Sequence, residues 1–239
     1  MRKKKYSKNG QCVYCGRILP ITEDHVPPKS LFAPTRRNNL IKVPSCRECH
    51  GENKQVSQDD EYFRLMLTSR YDVADHPDAK EILPTVMRSL EKPDKTGFKN
   101  ALLKNFHKMD LTSPGGLYLG KVGVFNVDLN RIYRVLERVI KGLFYHEKGY
   151  RLPDNYMVFI RSDSEMQKLT EDAKGKLMVE IIQPLASKTL HTVGNDVFSY
   201  RVAFTEADPN TSAWVLIFYQ NVFFLCATLP KNIASSFTA

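Results

Sequence analysis

The chain has 239 residues, 42% hydrophobic and 10% aromatic, which is enough to bury a real core as one large domain or two small ones. No apolar run approaches the roughly 20 residues that a bilayer span requires, so no span and no membrane partner are expected; the closest run, "WVLIFYQNVFFLCATL", is cut by Gln220 and Asn221. The formal net charge is +9, and residues 1–60 hold twelve Lys or Arg against six Asp or Glu, so two-thirds of the excess lies in the first quarter of the chain. A basic surface of this kind favours contact with phosphate backbones, because neutralising phosphates releases condensed counterions.

Residues 1–10, "MRKKKYSKNG", read as a basic arm closed by an Asn-Gly turn. The arm has no apolar segment behind it, so no secretory signal is expected and a cytoplasmic location follows. Next come two Cys-x-x-Cys knuckles, Cys12/Cys15 in "CVYC" and Cys46/Cys49 in "CREC". Each knuckle presents two thiolates to one ion, and a reducing compartment disfavours disulfides, so the four predict one tetrahedral structural Zn2+ site. The fifth cysteine, Cys226, lies in an apolar run and reads as a buried core residue.

Between the knuckles, residues 16–20 predict a turn and short strand and "ITEDHV" a second extended piece, which Pro27 and Pro28 end. His25 therefore sits at a strand end. "PTRRNN" has loop composition, "LIKVP" is extended, and "CRECHGENK" predicts the start of a helix that strengthens over "DDEYFRLMLTSRY", with Asp59 or Asp60 near its N-terminus. A zinc-stapled module thus occupies residues 11–58.

Residues 59–112 read as a helical connector, broken at Pro77, Pro84 and Pro93, and "SPGG" at 113–116 marks its boundary. Residues 117–239 read as an α+β domain of unknown role with an antiparallel sheet. Its signals are a strand or hairpin in "LYLGKVGVFNV", a helix after Asp128 with Ile132, Leu136, Val139, Ile140 and Leu143 on one stripe, and four strand-like runs, "YMVFIRS", "KLMVEIIQP", "VFSYRVAF" and "SAWVLIFYQNVFFLCATL". The aromatic run from Trp214 to Phe224 reads as sheet core or a subunit interface, not as a base-stacking platform.

Chemistry concentrates in the order "CVYC…EDHVPP…NNL…CRECH…N", where an Asp-His pair, a loop Asn and a further His are bracketed by thiolates. Hydrolysing a phosphodiester needs a base for water and a cation for the developing charge, and one histidine beside one oxygen-rich site supplies both. His25 is the candidate base, since an imidazole with a pKa of about 6.5 is substantially neutral at physiological pH. Adjacent side chains on an extended strand face opposite ways, so of Asp24 and His25 one can bind a cation while its neighbour faces the water.

Over residues 11–58 this order resembles the HNH endonuclease family. The resemblance implies a ββα-metal fold, an antiparallel hairpin and a helix around one divalent cation, stapled by a four-cysteine zinc. It implies Asp24 as a ligand of a catalytic Mg2+ or Mn2+, and Asn39, with Asn38 as competitor, as the residue orienting His25. It also implies His50 as the second protein ligand, with Asn53 as the alternative. Lys29, Arg36, Arg37, Lys42 and Lys54 flank this set and are the candidate phosphate contacts.

The expectation is therefore a metal-dependent endonuclease acting on nucleic acid, with DNA favoured over RNA. The C-terminal domain would serve target choice, a protein partner or homodimer formation, and a role in phage defence would suit the arrangement by analogy. The alternatives are a non-catalytic zinc module that binds nucleic acid, and an RNase using the same site.

Overall fold

The computed structural model describes residues 8–232. The expected basic arm falls mostly on residues 1–7, outside the described residues, and its Asn-Gly pair is not a turn. Asn9 and Gly10 instead open β1 (Asn9–Gln11), which pairs antiparallel with β2 (Ile18–Val26). β2 pairs on its other edge with β3 (Ile41–Cys46), again antiparallel, with Asp24 opposite Val43 and His25 opposite Lys42. The two extended pieces expected between residue 16 and Val26 are one strand, and Pro27 ends it. Proline has no backbone N–H to give to the ladder.

The segment after the second knuckle turns without forming a helix as far as Asn53, which caps α1 (Lys54–Thr68). The Asn53 side chain accepts a hydrogen bond from the Gln55 N–H at 2.9 Å and donates one to the Glu48 carbonyl at 2.9 Å. An asparagine at this position satisfies an orphan amide of the first turn, which places the helix start there and not at Asp59 or Asp60. α1 runs unbroken across residue 58, so the boundary expected there lies inside a helix.

α2 (Pro77–Leu90) and α3 (Thr96–Lys104) follow, in a stretch where helices are expected. Its last part differs, because β4 (Phe106–Thr112) and β5 (Tyr118–Phe125) form a two-stranded antiparallel ribbon. "SPGG" is the loop of that hairpin rather than a domain boundary. α4 (Leu129–Lys148) starts at Asp128, whose side chain accepts from the Asn130 N–H, and it buries Ile132, Leu136, Val139, Ile140 and Leu143.

β6 (Tyr156–Ser162) is followed by α5 (Asp163–Gln167), α6 (Glu171–Leu177), one π-helical turn over Met178–Ile182, and α7 (Gln183–Ala186). The run "KLMVEIIQP" is therefore helical, not a strand. Local helix signals prevail over its β-branched residues: Thr170 caps the Ala173 N–H, and Lys174–Glu171 and Lys176–Asp172 pair along the helix surface.

β7 (His191–Val193), β8 (Phe198–Phe204), β9 (Ser212–Phe218) and β10 (Val222–Pro230) complete a five-stranded antiparallel sheet in the order β6-β10-β9-β8-β7. Trp214, Phe218, Tyr219 and Cys226 are all 0% exposed, so the aromatic run is core. The chain is thus mixed α and β with antiparallel sheets. No helix among the described residues is long and apolar enough to cross a membrane.

One hydrophobic core runs from Val13 and Val26 through α1 and α4 to the five-stranded sheet. Phe63 of α1 meets Phe218 edge to face at 5.2 Å, and the Tyr219 hydroxyl donates to the Leu31 carbonyl at 2.7 Å, just beyond the strand that carries His25. On α4, a Cβ at Gly142 would lie 2.5 Å from Val26, so glycine is what lets the helix backbone approach the end of β2.

A row of ion pairs locks α1 to α4. Asp59, 3% exposed, receives Arg131 Nε at 2.9 Å and Arg134 Nε at 2.8 Å; Asp60 pairs with Arg138 one turn further along α4. Burial raises the Asp59 pKa, but the Arg134 and Arg131 guanidiniums outweigh it and hold the carboxyl below its ordinary value. Asp59→Ala leaves two guanidiniums facing a buried gap and is expected to cost about 3 kcal/mol, or ~6–12 °C in melting temperature for a chain of this size. A depressed carboxyl stabilises the fold above its unfolded-state pKa of about 3.9. The gap between wild type and variant in thermal melts should therefore be full at neutral pH and close as pH falls through the lowered folded-state value.

Candidate metal centre and the Asp24–His50 pair

The first knuckle is shaped by its own backbone. The Cys12 N–H bonds to the Arg17 carbonyl at 3.0 Å and the Gly16 N–H to the Cys12 carbonyl at 2.9 Å, with Gly16 at φ +73°. In the second, the N–H groups of Cys49 and His50 both point to the Cys46 carbonyl, at 3.2 and 3.1 Å. The Val13 N–H reaches the Pro44 carbonyl at 3.0 Å and ties the first knuckle to β3.

The sulfurs of Cys12, Cys15, Cys46 and Cys49 all lie within 4.8 Å of one another, and Cys15 and Cys46 are 3.8 Å apart. Tetrahedral Zn–S bonds of 2.3 Å put sulfurs about 3.8 Å apart, so the cluster is placed to hold one metal ion such as zinc. All four are free thiols. The Cys49 hydrogen bond pulls the Cys12 pKa down to about 4, while the same contact pushes Cys49 up. Without a cation the cluster shares protons; a divalent ion replaces them and accepts all four thiolates.

Two guanidiniums lie at the first knuckle. Arg17 hydrogen-bonds Cys15 and pairs with Glu48, and Arg151, paired with Asp154, packs where a Gly16 Cβ would stand, 2.7 Å from its Cζ. Nothing in the spacing of the sequence pointed to Arg151, which arrives from beyond the end of α4.

The hairpin brings Asp24 against His50 across 26 residues of chain: Oδ1 of Asp24 lies 3.4 Å from Nε2 of His50, with the two side chains 16% and 6% exposed. The same Oδ1 accepts the His25 N–H at 2.9 Å, and Oδ2 accepts the Tyr14 hydroxyl at 3.1 Å. Burial, and next the charge of Asp24, push the Tyr14 phenol well above its ordinary pKa, so it is the donor. Two donors each about 2.1 Å from a cation and at right angles to it lie about 3 Å apart. The Asp24–His50 pair fits a shared cation on that measure.

His25 follows Asp24 on β2 and is partly buried. Asn39 is exposed, in the turn before β3, at φ +56°, a left-handed conformation that asparagine adopts more readily than most residues. Asn53 uses its side chain to cap α1, whereas His50 meets Asp24. Among the candidate phosphate contacts, Arg36 is held by Asp78 at 3.0 Å and Glu81 at 3.1 Å, and Lys42 by Glu23 at 2.8 Å. Arg37 donates to the Phe32 carbonyl, while Lys29 and Lys54 are exposed.

Asp60, read from the sequence only as an acid near a helix start, and Arg138, not singled out there, lie beside this group. Burial, helped by the charges of Asp24 and Asp59 and opposed by Arg138, raises Asp60 to about 6. A signal was present: Arg131, Arg134 and Arg138 recur on one face of α4 at helical spacing.

Comparison with known protein families, curated proteins and solved structures gives no match for the chain. The chemistry of the sites therefore rests on the residues themselves. Metal analysis of the purified protein should find one zinc per chain and none in Cys46→Ser. Zinc present at about a thousandfold its Kd stabilises a fold by ~4 kcal/mol, so chelation of the wild type should lower its melting temperature. Cys226→Ser should keep its zinc.

Proposed function

We propose that the hairpin and α1 form an HNH-type endonuclease module that hydrolyses phosphodiesters of DNA with a divalent cation, Mg2+ or Mn2+. The observation that carries this reading is the 3.4 Å approach of Asp24 to His50, with His25 next to Asp24 on β2. A carboxylate and a neutral imidazole suit an ion that also binds phosphate oxygens, whereas the thiolates suit zinc.

In this reading Asp24 and His50 hold the cation, which when bound stabilises charge on the phosphorane and on the leaving oxygen. His25 accepts a proton from water; the hydroxide oxygen forms a bond to phosphorus as a bridging P–O bond breaks and the leaving oxygen takes up a proton. Asn39 sits in the turn that leads into β3, opposite the strand of His25, and is the proposed orienting residue. Lys29, Arg37 and Lys54 are proposed as phosphate contacts; Arg36 is already committed to Asp78 and Glu81.

The reading is tested by nicking of supercoiled plasmid with Mg2+ or Mn2+. His25→Ala should lose about 10²- to 10⁴-fold in rate, the range of general-base catalysis, with zinc content and DNA binding retained. Wild-type protein that keeps its zinc and binds DNA, yet cuts neither DNA nor RNA with any divalent ion, would instead be a non-catalytic zinc module. Cleavage confined to RNA would reassign the substrate and keep the site.

A further inference from the structure

We propose that Tyr14 is a positioning residue for the Asp24 carboxylate, and that through it the four-cysteine cluster sets the geometry of the second metal site. This rests on the endonuclease reading, in which Asp24 is a cation ligand.

Tyr14 lies inside the first knuckle, between Cys12 and Cys15. Its backbone is therefore fixed by the sulfur cluster, by the Gly16-to-Cys12 hydrogen bond, and by the Val13 bond to Pro44 of β3. From that frame its hydroxyl reaches Oδ2 of Asp24 at 3.1 Å. An aspartate carboxylate turns easily about its last torsion, which is broad and roughly two-fold. One anchor on each oxygen stops that rotation: Tyr14 on Oδ2, and the His25 N–H on Oδ1. The plane so fixed leaves Oδ1 facing His50 Nε2 at 3.4 Å.

His50 is tied to the same cluster from the other side. It follows Cys49 directly, and its N–H bonds to the Cys46 carbonyl at 3.1 Å. Both proposed cation ligands are thus set by the knuckles, one through a covalent bond to its neighbour and one through the Tyr14 hydroxyl. Partners that orient metal ligands in this way typically affect metal affinity 10- to 100-fold when removed.

The test is Mn2+ binding to zinc-loaded protein, measured by calorimetry and by the electron paramagnetic resonance of free Mn2+, for wild type, Tyr14→Phe and Asp24→Ala. Tyr14→Phe keeps the ring and removes only the donor. It should weaken Mn2+ binding by about 10- to 100-fold while zinc stoichiometry and melting temperature stay at the wild-type values. Asp24→Ala should abolish Mn2+ binding at the site. If Asp24→Ala abolishes it and Tyr14→Phe binds like wild type, the positioning role is wrong and the endonuclease reading stands. If Asp24→Ala binds Mn2+ like wild type, the endonuclease site itself is wrong and the role of Tyr14 goes with it. Weaker Mn2+ binding accompanied by zinc loss in Tyr14→Phe assigns the tyrosine to the fold alone and also overturns the proposal.

Discussion

Four sulfurs that repel one another as thiolates converge within 4.8 Å, and only a cation reconciles that convergence with their ionisation. Almost everything local hangs from this constraint. The knuckles fix the two ends of a small three-stranded sheet, in which β1 has three residues and β3 six. They also set the backbone of Tyr14 and His50, the residues that meet Asp24 from either side. A metal ion held at the sulfurs would therefore do more than hold a loop: in the proposed site it would set where a carboxylate and an imidazole, 26 residues apart, come together.

The cluster does not stand without the rest of the chain. α4 supplies the floor under the hairpin, where Gly142 admits Val26, and the guanidiniums that neutralise Asp59 and Asp60 on α1. Arg151, just past α4, then reaches the first knuckle. A buried carboxylate is costly unless paired, so the aspartates of α1 and the arginines of α4 require one another. The hairpin-and-helix unit is thereby built into the core it shares with the five-stranded sheet, rather than joined to it by a connector.

What could be read from the sequence followed the strength of local signals. Thiolate spacing located the sulfur cluster, the apolar stripe from Ile132 to Leu143 located α4, and strand-like runs located β6 and β8 and, as one run where the structure has a hairpin, β9 with β10. Errors fell where a local cue competed with pairing or packing. "SPGG" reads equally as a linker or a hairpin loop, and only the pairing of Phe106–Thr112 with Tyr118–Phe125 decides it. "KLMVEIIQP" looked like a strand until the Thr170 cap and the Lys-Glu spacing around it outweighed its isoleucines. Tyr14, Asp60 and Arg138 were invisible as a group because their proximity depends on how α1, α4 and the first knuckle meet, which no spacing along the chain encodes.

The choice between His50 and Asn53 shows how a structural role can remove a chemical candidate. An asparagine amide offers one acceptor oxygen and one donor nitrogen, and at Asn53 the oxygen serves the Gln55 N–H while the nitrogen serves the Glu48 carbonyl. Turning this side chain away towards a cation would give up the cap of α1, at a cost of about 1 kcal/mol. His50 does not cap α1: it is buried at 5% exposure, with Nε2 3.4 Å from Oδ1 of Asp24. The helix start thus supports the proposed choice of His50, because Asn53 is occupied in beginning α1.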